Sequence, residues 1–279
     1  MTKIKQRLKL KRQVFVGKLI KKVFGSNLFG FIAQTKYGLF AVDPEDCGVG
    51  LHLLRHSSYG NVEINSLKPY INFESAVLIV GAHIGSLVIP LSKYCKKVIA
   101  VEANPLSYKM LTINISLNGV DNCEAINIAA SDKCESIDFL LSRANTGGSK
   151  RVPKIKDYMY YYDKPQTVSI NAVSLDNYLK EKEYDLILMD IEGSEYYALK
   201  GMQEILERSK VLVVEFLPHH LKNVSGVSVD KFLSVIESHF STLLIPSKQL
   251  KVDKPKFNES LKEMYDKNQG DEGIIFGKA

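Results

Sequence analysis

The sequence predicts an α/β fold in which helices cover both faces of a mostly parallel sheet. Three apolar runs carry this prediction: residues 77–80, 98–101 and 184–189. A strand that is buried on both faces of a parallel sheet has a continuous apolar run of this kind. Glycines or carboxylates follow each run, and ligands bind beyond the carboxyl ends of parallel strands. The three motifs therefore point to one crevice.

Length and composition fit a protein that folds around a sizeable core. The chain has 279 residues, of which 45% are hydrophobic and 24% are charged, as in ordinary globular proteins. No apolar run approaches the ~20 residues that span a bilayer, and the N-terminus lacks the pattern of a secretory signal. We expect a cytoplasmic protein with an N-terminal extension, residues 1–72, and a main domain, residues 73–279.

Basic charge is concentrated at the N-terminus. Residues 1–42 carry ten Lys and Arg and no Asp or Glu, which leaves 27 basic and 31 acidic residues, a net charge of −4, in the remainder. That remainder lacks the basic surface typical of nucleic-acid-binding proteins, so a nucleic-acid partner is not expected. The four cysteines lack zinc-site spacing, and we predict no metal site.

The basic segment 3–24 predicts an amphipathic helix. Apolar residues recur at roughly helical spacing among the lysines and arginines: Ile4, Leu8, Phe15, Leu19 and Val23. Such a helix can lie on an anionic membrane surface, which would make the protein membrane-peripheral. It can equally cover part of the core or form an oligomer interface. A hairpin over 29–43 and a helix over 62–71 complete the predicted extension.

Strands and helices alternate from residue 77 onward, which predicts the parallel sheet. Predicted strands cover 77–80, 98–101, 124–128, 137–141, 167–173, 184–189, 210–216, 241–245 and 273–276. Predicted helices cover 85–95, 105–118, 194–208 and 229–239, with a short helix from Asp176. Polar residues 142–166 form a loop or an insertion, and long segments of this kind often carry function.

Two strand ends have the residues of a nucleoside-binding crevice. Gly81 and Gly85 follow the first strand, where glycine lets a ligand approach the backbone and a helix N-terminus favours an anion. A tight turn without a ligand would have the same glycines. Glu102 ends the next strand, 17 residues after Gly85, where a carboxylate can accept hydrogen bonds from ribose hydroxyls. Together, the turn and the acid favour an adenosine-type ligand.

A carboxylate pair follows the third strand. Alternation along the chain would place Asp190 and Glu192 on the same side, where they could bind an ammonium group or take a proton from a substrate hydroxyl. Glu192 or Ser194 could instead cap the helix that follows.

Seven motifs, taken in order, resemble the FkbM family of S-adenosylmethionine-dependent methyltransferases over residues 37–217. The matching stretches are Gly81-Ala82-His83-Ile84-Gly85, residues 98–105, residues 114–119, Ala129-Ala130-Ser131-Asp132, Asn145-Thr146-Gly147-Gly148-Ser149, residues 173–176 and residues 190–196. The resemblance implies a class I methyltransferase (Rossmann-like) sheet. It also implies methyl transfer to a hydroxyl of a sugar or a polyketide-like molecule.

The resemblance also implies roles for individual residues. The segment from Gly81 through Ala82 and His83 to Gly85 would cradle the methionine part of S-adenosylmethionine. Other parts of the cofactor would be held by Glu102 at the ribose, by Ala103 and Asn104 at the adenine, and by Ser131 and Asp132 at the adenine edge. Asp190 would lie beside the transferred methyl group, and residues 145–149 would face the acceptor.

Three positions depart from the family pattern. The family usually has an acid at Ile79, Asn at His83 and Lys at Leu188. The changes at Ile79 and Leu188 remove an anchor for the cofactor's amino group and a cation beside Asp190. His83 could compensate as a hydrogen-bonding group in the same turn, although a local structural role is equally consistent.

The sequence therefore favours an O-methyltransferase that acts on a glycan, a sugar or a small hydroxylated metabolite. The candidate bases for the acceptor hydroxyl are Asp190, Glu192, Glu215, His219 and His220, and histidine titrates near neutrality. A non-catalytic protein of this fold, acting as a partner subunit or scaffold, is the alternative. A nucleic-acid methyltransferase that uses the basic arm is the third hypothesis.

Overall fold

The central sheet of the molecule has eight strands in the order β13-β12-β14-β11-β10-β3-β4-β5. A computed structural model describes residues 3–25 and 27–278, with the backbone alone for residues 3–10, 13, 14 and 21. The strands are β1 (Phe31–Gln34), β2 (Leu39–Val42), β3 (Ala76–Val80), β4 (Lys97–Val101), β5 (Cys123–Ile126), β6 (Ala129–Ala130), β7 (Glu135–Leu141), β8 (Lys150–Arg151), β9 (Gln166–Val173), β10 (Leu186–Met189), β11 (Val211–Phe216), β12 (Thr242–Ile245), β13 (Leu250–Asp253) and β14 (Asp271–Gly277).

Helices pack on both faces of this sheet. The helices of the described residues are α1 (Lys3–Phe24), α2 (Val49–His56), α3 (Asn61–Leu67), α4 (Val88–Ser92), α5 (Pro105–Leu117), α6 (Tyr158–Tyr161), α7 (Leu175–Tyr178), α8 (Glu195–Lys200), α9 (Gln203–Arg208), α10 (Pro218–His220), α11 (Val229–Leu233) and α12 (Phe257–Asp266). The predicted α/β class is confirmed, because five adjacent strands, β11, β10, β3, β4 and β5, run parallel.

The sheet reverses its strand order between β3 and β10. From β3 the chain continues to β4 and β5 on one side, and later strands add to β10 on the other. In register, Val80 at the end of β3 pairs with Met189 in β10 and with Val101 in β4. The residues that follow these strands, Gly81, Asp190 and Glu102, therefore emerge side by side at a switch point, where ligands bind in open α/β sheets.

A second sheet lies between β5 and β10 in the chain, in the order β6-β9-β7-β8. Its β7 and β9 pair antiparallel along their length, from Glu135↔Ala172 to Leu141↔Gln166. The sequence predicted these two strands separately, and it predicted a loop or an insertion for the segment that holds β8 and α6. The inserted sheet places residues 145–151 beside the switch point.

The N-terminal extension packs on the main domain. Phe40, Val42 and Leu53 are buried in one apolar cluster with Ile84 and Met110. Asn114 of α5 is fully buried there, and its side chain accepts from the backbone N–H of Ala41 and donates to the Ala41 carbonyl. The extension thus shares a core with the sheet, and the boundary at residue 72 stays a prediction.

Several helices are shorter than the sequence predicted. The predicted helix over 85–95 is helical only in α4, and that over 229–239 only in α11. The predicted helix over 194–208 breaks into α8 and α9 at Gly201, where the backbone lies so close to Ser131 that a Cβ would be 1.9 Å from its carbonyl oxygen. Asp176 accepts hydrogen bonds from the Glu204 and Ile205 backbones and caps α9, which a local sequence pattern does not reveal.

Three apolar side chains of helix α1 lie largely in solvent. Phe15, Leu19 and Val23 are 65%, 48% and 68% exposed, so these described residues do not cover the core. The helix approaches the body at Gly17, whose Cα would place a side chain 3.0 Å from the Glu45 backbone. The side chains of Ile4 and Leu8, the other members of the predicted apolar stripe, lie outside the described ones. Within residues 3–25 and 27–278, no helix is long and apolar enough to cross a membrane.

Candidate active site

A cleft opens at the switch point and encloses about 1140 Å³, including the part open to solvent. The strand ends supply Gly81, Glu102 and Asp190, while the extension and the inserted sheet supply opposite walls. The lining residues include Val49, Tyr59, Glu63, Ile79, Ala82, His83, Ala103, Ala129, Ala130, Ile137, Phe139, Asn145, Thr146, Gly147, Ser149, Leu188 and Glu192. Among the lining residues that the structure describes, four are carboxylates and none is Lys or Arg.

Gly81 allows the first strand to turn at the cleft. Its φ of +95° lies in the left-handed region, and a Cβ there would lie 1.8 Å from the Asp190 carbonyl oxygen. The backbone N–H groups of Gly81 and Ala82 both donate to the Val101 carbonyl, at 2.9 and 3.0 Å. Only glycine fits this close crossing of two strand ends.

Glu102 is held rigidly at the end of β4. One carboxylate oxygen accepts from the backbone N–H of His83 and the other from that of Asn104, both at 2.7 Å. The side chain is buried, and burial raises the pKa of the carboxyl to about 7 despite these two hydrogen bonds. Each oxygen keeps a second lone pair for a ligand hydroxyl.

His83 lies in the same turn and contacts the inserted sheet's loop. Its Nε2 lies 2.7 Å from the Thr146 hydroxyl, which donates to the Asp46 carboxylate at 3.0 Å. Desolvation lowers the pKa of His83, so the ring is neutral near pH 7. The backbone is also unusual, because φ is +51° at this non-glycine residue.

The structure does not bring five of the predicted site residues to the cleft. Asn104 caps α5, with its oxygen accepting from the Leu106 N–H, and Gly85 packs against α5 beneath the turn. The hydroxyl of Ser131 contacts Glu135 and Arg151, and Asp132 pairs with Lys200 at 2.8 Å. His219 stacks on Tyr160, with ring centroids 6.5 Å apart, and is not among the residues that line the cleft.

Asp190 and Glu192 follow β10 and both line the cleft. The Asp190 side chain is exposed to solvent in the open cleft. The protein around the cleft nevertheless desolvates this carboxyl and raises the pKa of Asp190 well above its usual value, and the neighbouring carboxylates of Glu192, Glu195 and Glu63 raise it further. Asp190 is therefore a stronger base than an ordinary aspartate.

Lys150 supplies a cation that the sequence analysis missed. Its Nζ lies 2.6 Å from Glu192 Oε2, and the side chain is only 7% exposed. The family's usual Lys is replaced by Leu188, but Lys150 reaches the same loop from β8 of the inserted sheet. Its ammonium also lies 5.0 Å from the Tyr160 ring centre, within cation–π range. The contact between Lys150 and Glu192 depends on tertiary structure, so no local sequence pattern indicated it.

The protonation of His220 follows from its neighbours. The Lys150 ammonium can only donate, so His220 Nε2, 3.1 Å away, accepts, and Nδ1 carries the proton that it donates to Glu215 at 3.1 Å. Burial and Lys150 hold the pKa of His220 far below its usual value. The ring is therefore neutral and fully engaged, which makes it a support for Lys150 rather than a free base.

Three carboxylates meet beneath the cleft. Oxygens of Asp190, Glu195 and Glu215 lie within 4.8 Å of one another, a spacing that could suit a cation, whereas the sequence predicted no metal site. One oxygen of Glu195 already accepts from the backbone N–H groups of Ile191 and Gly193, at 3.1 Å. Burial raises the pKa of Glu195 to about 7 and that of Glu215 well above its usual value, so the group retains protons near neutrality.

Residues 80–243 match the family model for the methyltransferase FkbM domain. The chain belongs to this family of class I methyltransferases, whose cofactor is S-adenosylmethionine. The match covers more than half of the chain and includes the cleft's three strand ends.

Two curated relatives from Methanocaldococcus jannaschii are similar over part of the chain. A tRNA(Phe) (4-demethylwyosine(37)-C(7)) aminocarboxypropyltransferase is 32% identical over 165 residues, 58% of this chain and 63% of the relative. A probable cobalt-precorrin-6B C(15)-methyltransferase (decarboxylating) is 27% identical over 115 residues, 40% of this chain and 60% of the relative. The chain thus spans less than two thirds of either relative.

The solved structure of an FkbM methyltransferase from Methylobacillus flagellatus is similar to this chain, with 16% identity and a TM-score of 0.43. The similar region covers 74% of this chain and 44% of the solved chain.

The cleft fits the cofactor. Glu102 offers lone pairs for ribose hydroxyls, and the apolar side chains of Ala103, Ala129, Ile137 and Phe139 offer a wall for an adenine ring. The turn at Gly81 has no side chain that would exclude the methionine part. These residues would hold the cofactor, and Asp190 lines the same cleft.

Proposed function

We propose that this protein transfers a methyl group from S-adenosylmethionine to a hydroxyl of a sugar, a glycan or a small hydroxylated metabolite. The observation that carries the proposal is the position of Asp190. This carboxylate has a raised pKa and faces the open space of the cleft between the predicted cofactor end and the extension. A base placed there can take the proton of an acceptor hydroxyl.

Methyl transfer depends more on the alignment of the two reactants than on covalent catalysis by the protein. S-adenosylmethionine supplies an electrophilic methyl group on a sulfonium. The chain must hold the acceptor oxygen in line with that methyl group, and such positioning can supply much of the rate enhancement. Tyr59, Glu63 and Glu192 line the acceptor end and offer hydrogen-bonding partners for a polyhydroxylated molecule.

The residues that line the cleft do not favour a phosphate-bearing acceptor. Glu63, Glu102, Asp190 and Glu192 line it, and no described lining residue is Lys or Arg. Nucleic-acid sites, by contrast, concentrate basic side chains beside the phosphates. A neutral hydroxylated acceptor therefore fits better than RNA, although the names of curated relatives include an enzyme that acts on tRNA.

Methyl transfer from radiolabelled S-adenosylmethionine to a panel of neutral sugars, glycans and hydroxylated metabolites tests the proposal, with tRNA as a comparison arm. Asp190→Asn should lower kcat by ~10²–10⁴ while cofactor affinity stays within a few-fold. Asp185→Asn is the matched control, because Asp185 lies just before the opposite end of β10 and pairs with Lys210. Equal losses of turnover and cofactor affinity in Asp190→Asn would assign the residue to cofactor binding instead.

A non-catalytic function is the alternative, and Ile79 and Leu188 motivate it. Calorimetric titration with S-adenosylmethionine separates the two: micromolar binding supports the enzyme, and no binding at millimolar cofactor supports a partner subunit or scaffold.

We also propose a cytoplasmic protein that contacts anionic membranes through α1. The exposed Phe15, Leu19 and Val23 on a basic helix support peripheral contact. Deleting residues 1–24 should abolish sedimentation with phosphatidylserine vesicles and leave cofactor affinity unchanged. Retained sedimentation would contradict the membrane role, and a chain that dimerises only with residues 1–24 present would assign α1 to an oligomer interface.

A further inference from the structure

Two buried side chains and the half-buried His83 connect the N-terminal extension to the cleft. Asp46 and Thr146 are 3% and 9% exposed, and His83 lies in the turn that follows β3. The hydrogen bonds run from His83 Nε2 to Thr146 at 2.7 Å and from Thr146 to Asp46 at 3.0 Å. We call this set the Asp46 chain.

The donors and acceptors of the Asp46 chain allow one arrangement. The carboxylate of Asp46 also accepts from the backbone N–H groups of Gly48 and Gly50, at 2.8 and 3.0 Å, so it acts only as an acceptor. The single hydroxyl proton of Thr146 therefore points at Asp46. The Thr146 oxygen must then accept from His83, which places the imidazole proton on Nε2.

The other nitrogen of His83 keeps its lone pair. Within the described residues, no hydrogen bond reaches Nδ1, and desolvation keeps the ring neutral. Nδ1 lies against Gly147, where a Cβ would be only 3.6 Å from it. Both His83 and Gly147 line the cleft, so the unprotonated nitrogen is an acceptor at the cofactor end.

We propose that Asp46 and Thr146 are positioning residues that fix His83 with an unprotonated Nδ1, which accepts a hydrogen bond from the α-ammonium group of S-adenosylmethionine. This inference rests on the proposed function, because it assumes that the cleft binds the cofactor. This contact would explain how the site binds the ammonium group with Ile79 in place of an acid. The turn lacks an acidic side chain, and the lone pair of the neutral imidazole accepts the hydrogen bond instead. The tautomer with a proton on Nδ1 would instead present a donor to the ammonium and repel it.

The affinities of two ligands distinguish the loss of this contact from a general disruption of the binding site. S-adenosylhomocysteine has the amino group, and 5′-methylthioadenosine has the same nucleoside thioether without it. Thr146→Val should weaken S-adenosylhomocysteine binding about 5–10-fold and leave 5′-methylthioadenosine binding unchanged, whereas Thr146→Ser, which keeps the hydroxyl, should bind both like the wild type. Gly147→Ala should weaken only S-adenosylhomocysteine, because its methyl group would shield Nδ1.

The positioning role predicts a specific dependence between two substitutions. His83→Asn retains an amide oxygen as an acceptor near the place of Nδ1, with no imidazole tautomer to select. In that background, Thr146→Val should no longer alter S-adenosylhomocysteine affinity. A purely structural role for Thr146 would weaken binding in both backgrounds and for both ligands, and that result would overturn the proposal.

Nitrogen-15 NMR of the wild type without ligand tests the tautomer directly. The spectrum should show a protonated Nε2 and an unprotonated Nδ1 for His83, and Thr146→Val should mix the two tautomers. The opposite tautomer in the wild type would overturn the Asp46 chain. Failure of wild-type protein to bind S-adenosylhomocysteine would refute the proposed function and the ammonium contact together, while the spectrum would still decide the tautomer.

Discussion

Lys150 Nζ lies 2.6 Å from Glu192 Oε2 and joins the inserted sheet to the loop that follows β10. Lys150→Met should lower the free energy of unfolding by about 2–4 kcal/mol, because it leaves a mostly buried carboxylate without its cation. Urea unfolding measures the loss. Lys200→Met is the control, since the Lys200 side chain is 51% exposed where Lys150 is 7% exposed, so its pair with Asp132 at 2.8 Å should contribute less than about 1 kcal/mol. Equal losses in both variants would contradict the special position of Lys150.

Glu102 should dominate cofactor affinity. Glu102→Ala removes the carboxylate that faces the cleft and releases the backbone N–H groups of His83 and Asn104. We expect S-adenosylhomocysteine to bind about 10–100-fold more weakly, a loss typical of hydrogen bonds to a charged group. Calorimetry provides the measurement, with Glu124→Ala on the neighbouring strand β5 as an exposed control. Unchanged affinity in Glu102→Ala would exclude the ribose role.

Gly81→Ala should be far more destabilising than an equivalent change at another left-handed glycine. Its new Cβ would lie 1.8 Å from the Asp190 carbonyl oxygen, whereas a Cβ at Gly119, with φ of +58°, meets nothing within 4 Å. Gly119→Ala should cost about 1 kcal/mol through backbone strain alone. Gly81→Ala should lower stability well beyond that or prevent folding. Similar urea midpoints for the two variants would show that the strand crossing can relax.

The ligand-free protein should lose stability as the pH rises from about 5 to 8. Burial raises the pKa values of Glu63, Glu102 and Glu195 to about 7, so the folded protein retains protons that the unfolded chain releases near pH 4.5. Raised carboxyl pKa values therefore oppose folding increasingly through this window, by about 1.4 kcal/mol for each pKa unit and group. The raised pKa values of Asp190 and Glu215 act in the same direction, so these five carboxyls outweigh His83, His219 and His220, whose lowered pKa values favour folding as the pH rises to about 6.5.

Thermal unfolding across this pH range checks the sign. Glu102→Gln should flatten the curve, because it removes one of the titrating groups. A melting temperature that rises steadily between pH 5 and 8 would contradict the buried state of these carboxyls.

The sequence predicted the sheet well because buried parallel strands have local signals. It identified the runs of β3, β4 and β10 and the residues that end them, Gly81, Glu102 and Asp190. It missed α2, α12 and the antiparallel edge strand β13, whose exposed faces interrupt any continuous apolar run. Helix α12 alternates buried residues such as Phe257 and Leu261 with charged ones.

From the residues alone, the site was predicted only where chemistry follows a strand directly. The loop 145–149, which includes Thr146, was implicated only by the family resemblance, as a segment facing the acceptor. Lys150 and Asp46 are separated from the switch point by tens of residues, and their contacts arise because the inserted sheet folds back over it. Ser131 and Asp132 were predicted as site residues but do not line the cleft. Their motif is present, but Arg151 and Lys200 draw their side chains into other hydrogen bonds and ion pairs.

Thr146 and Lys150 are four residues apart in the sequence, and their side chains contact residues that line different parts of the cleft. Thr146 supports His83 at the predicted cofactor end, while Lys150 supports Glu192 at the predicted acceptor end. A shift of this short segment on binding one ligand must therefore change the geometry offered to the other. Thermodynamic linkage makes such coupling reciprocal. Cofactor and acceptor should consequently bind with mutually dependent affinities, and this segment would transmit the dependence.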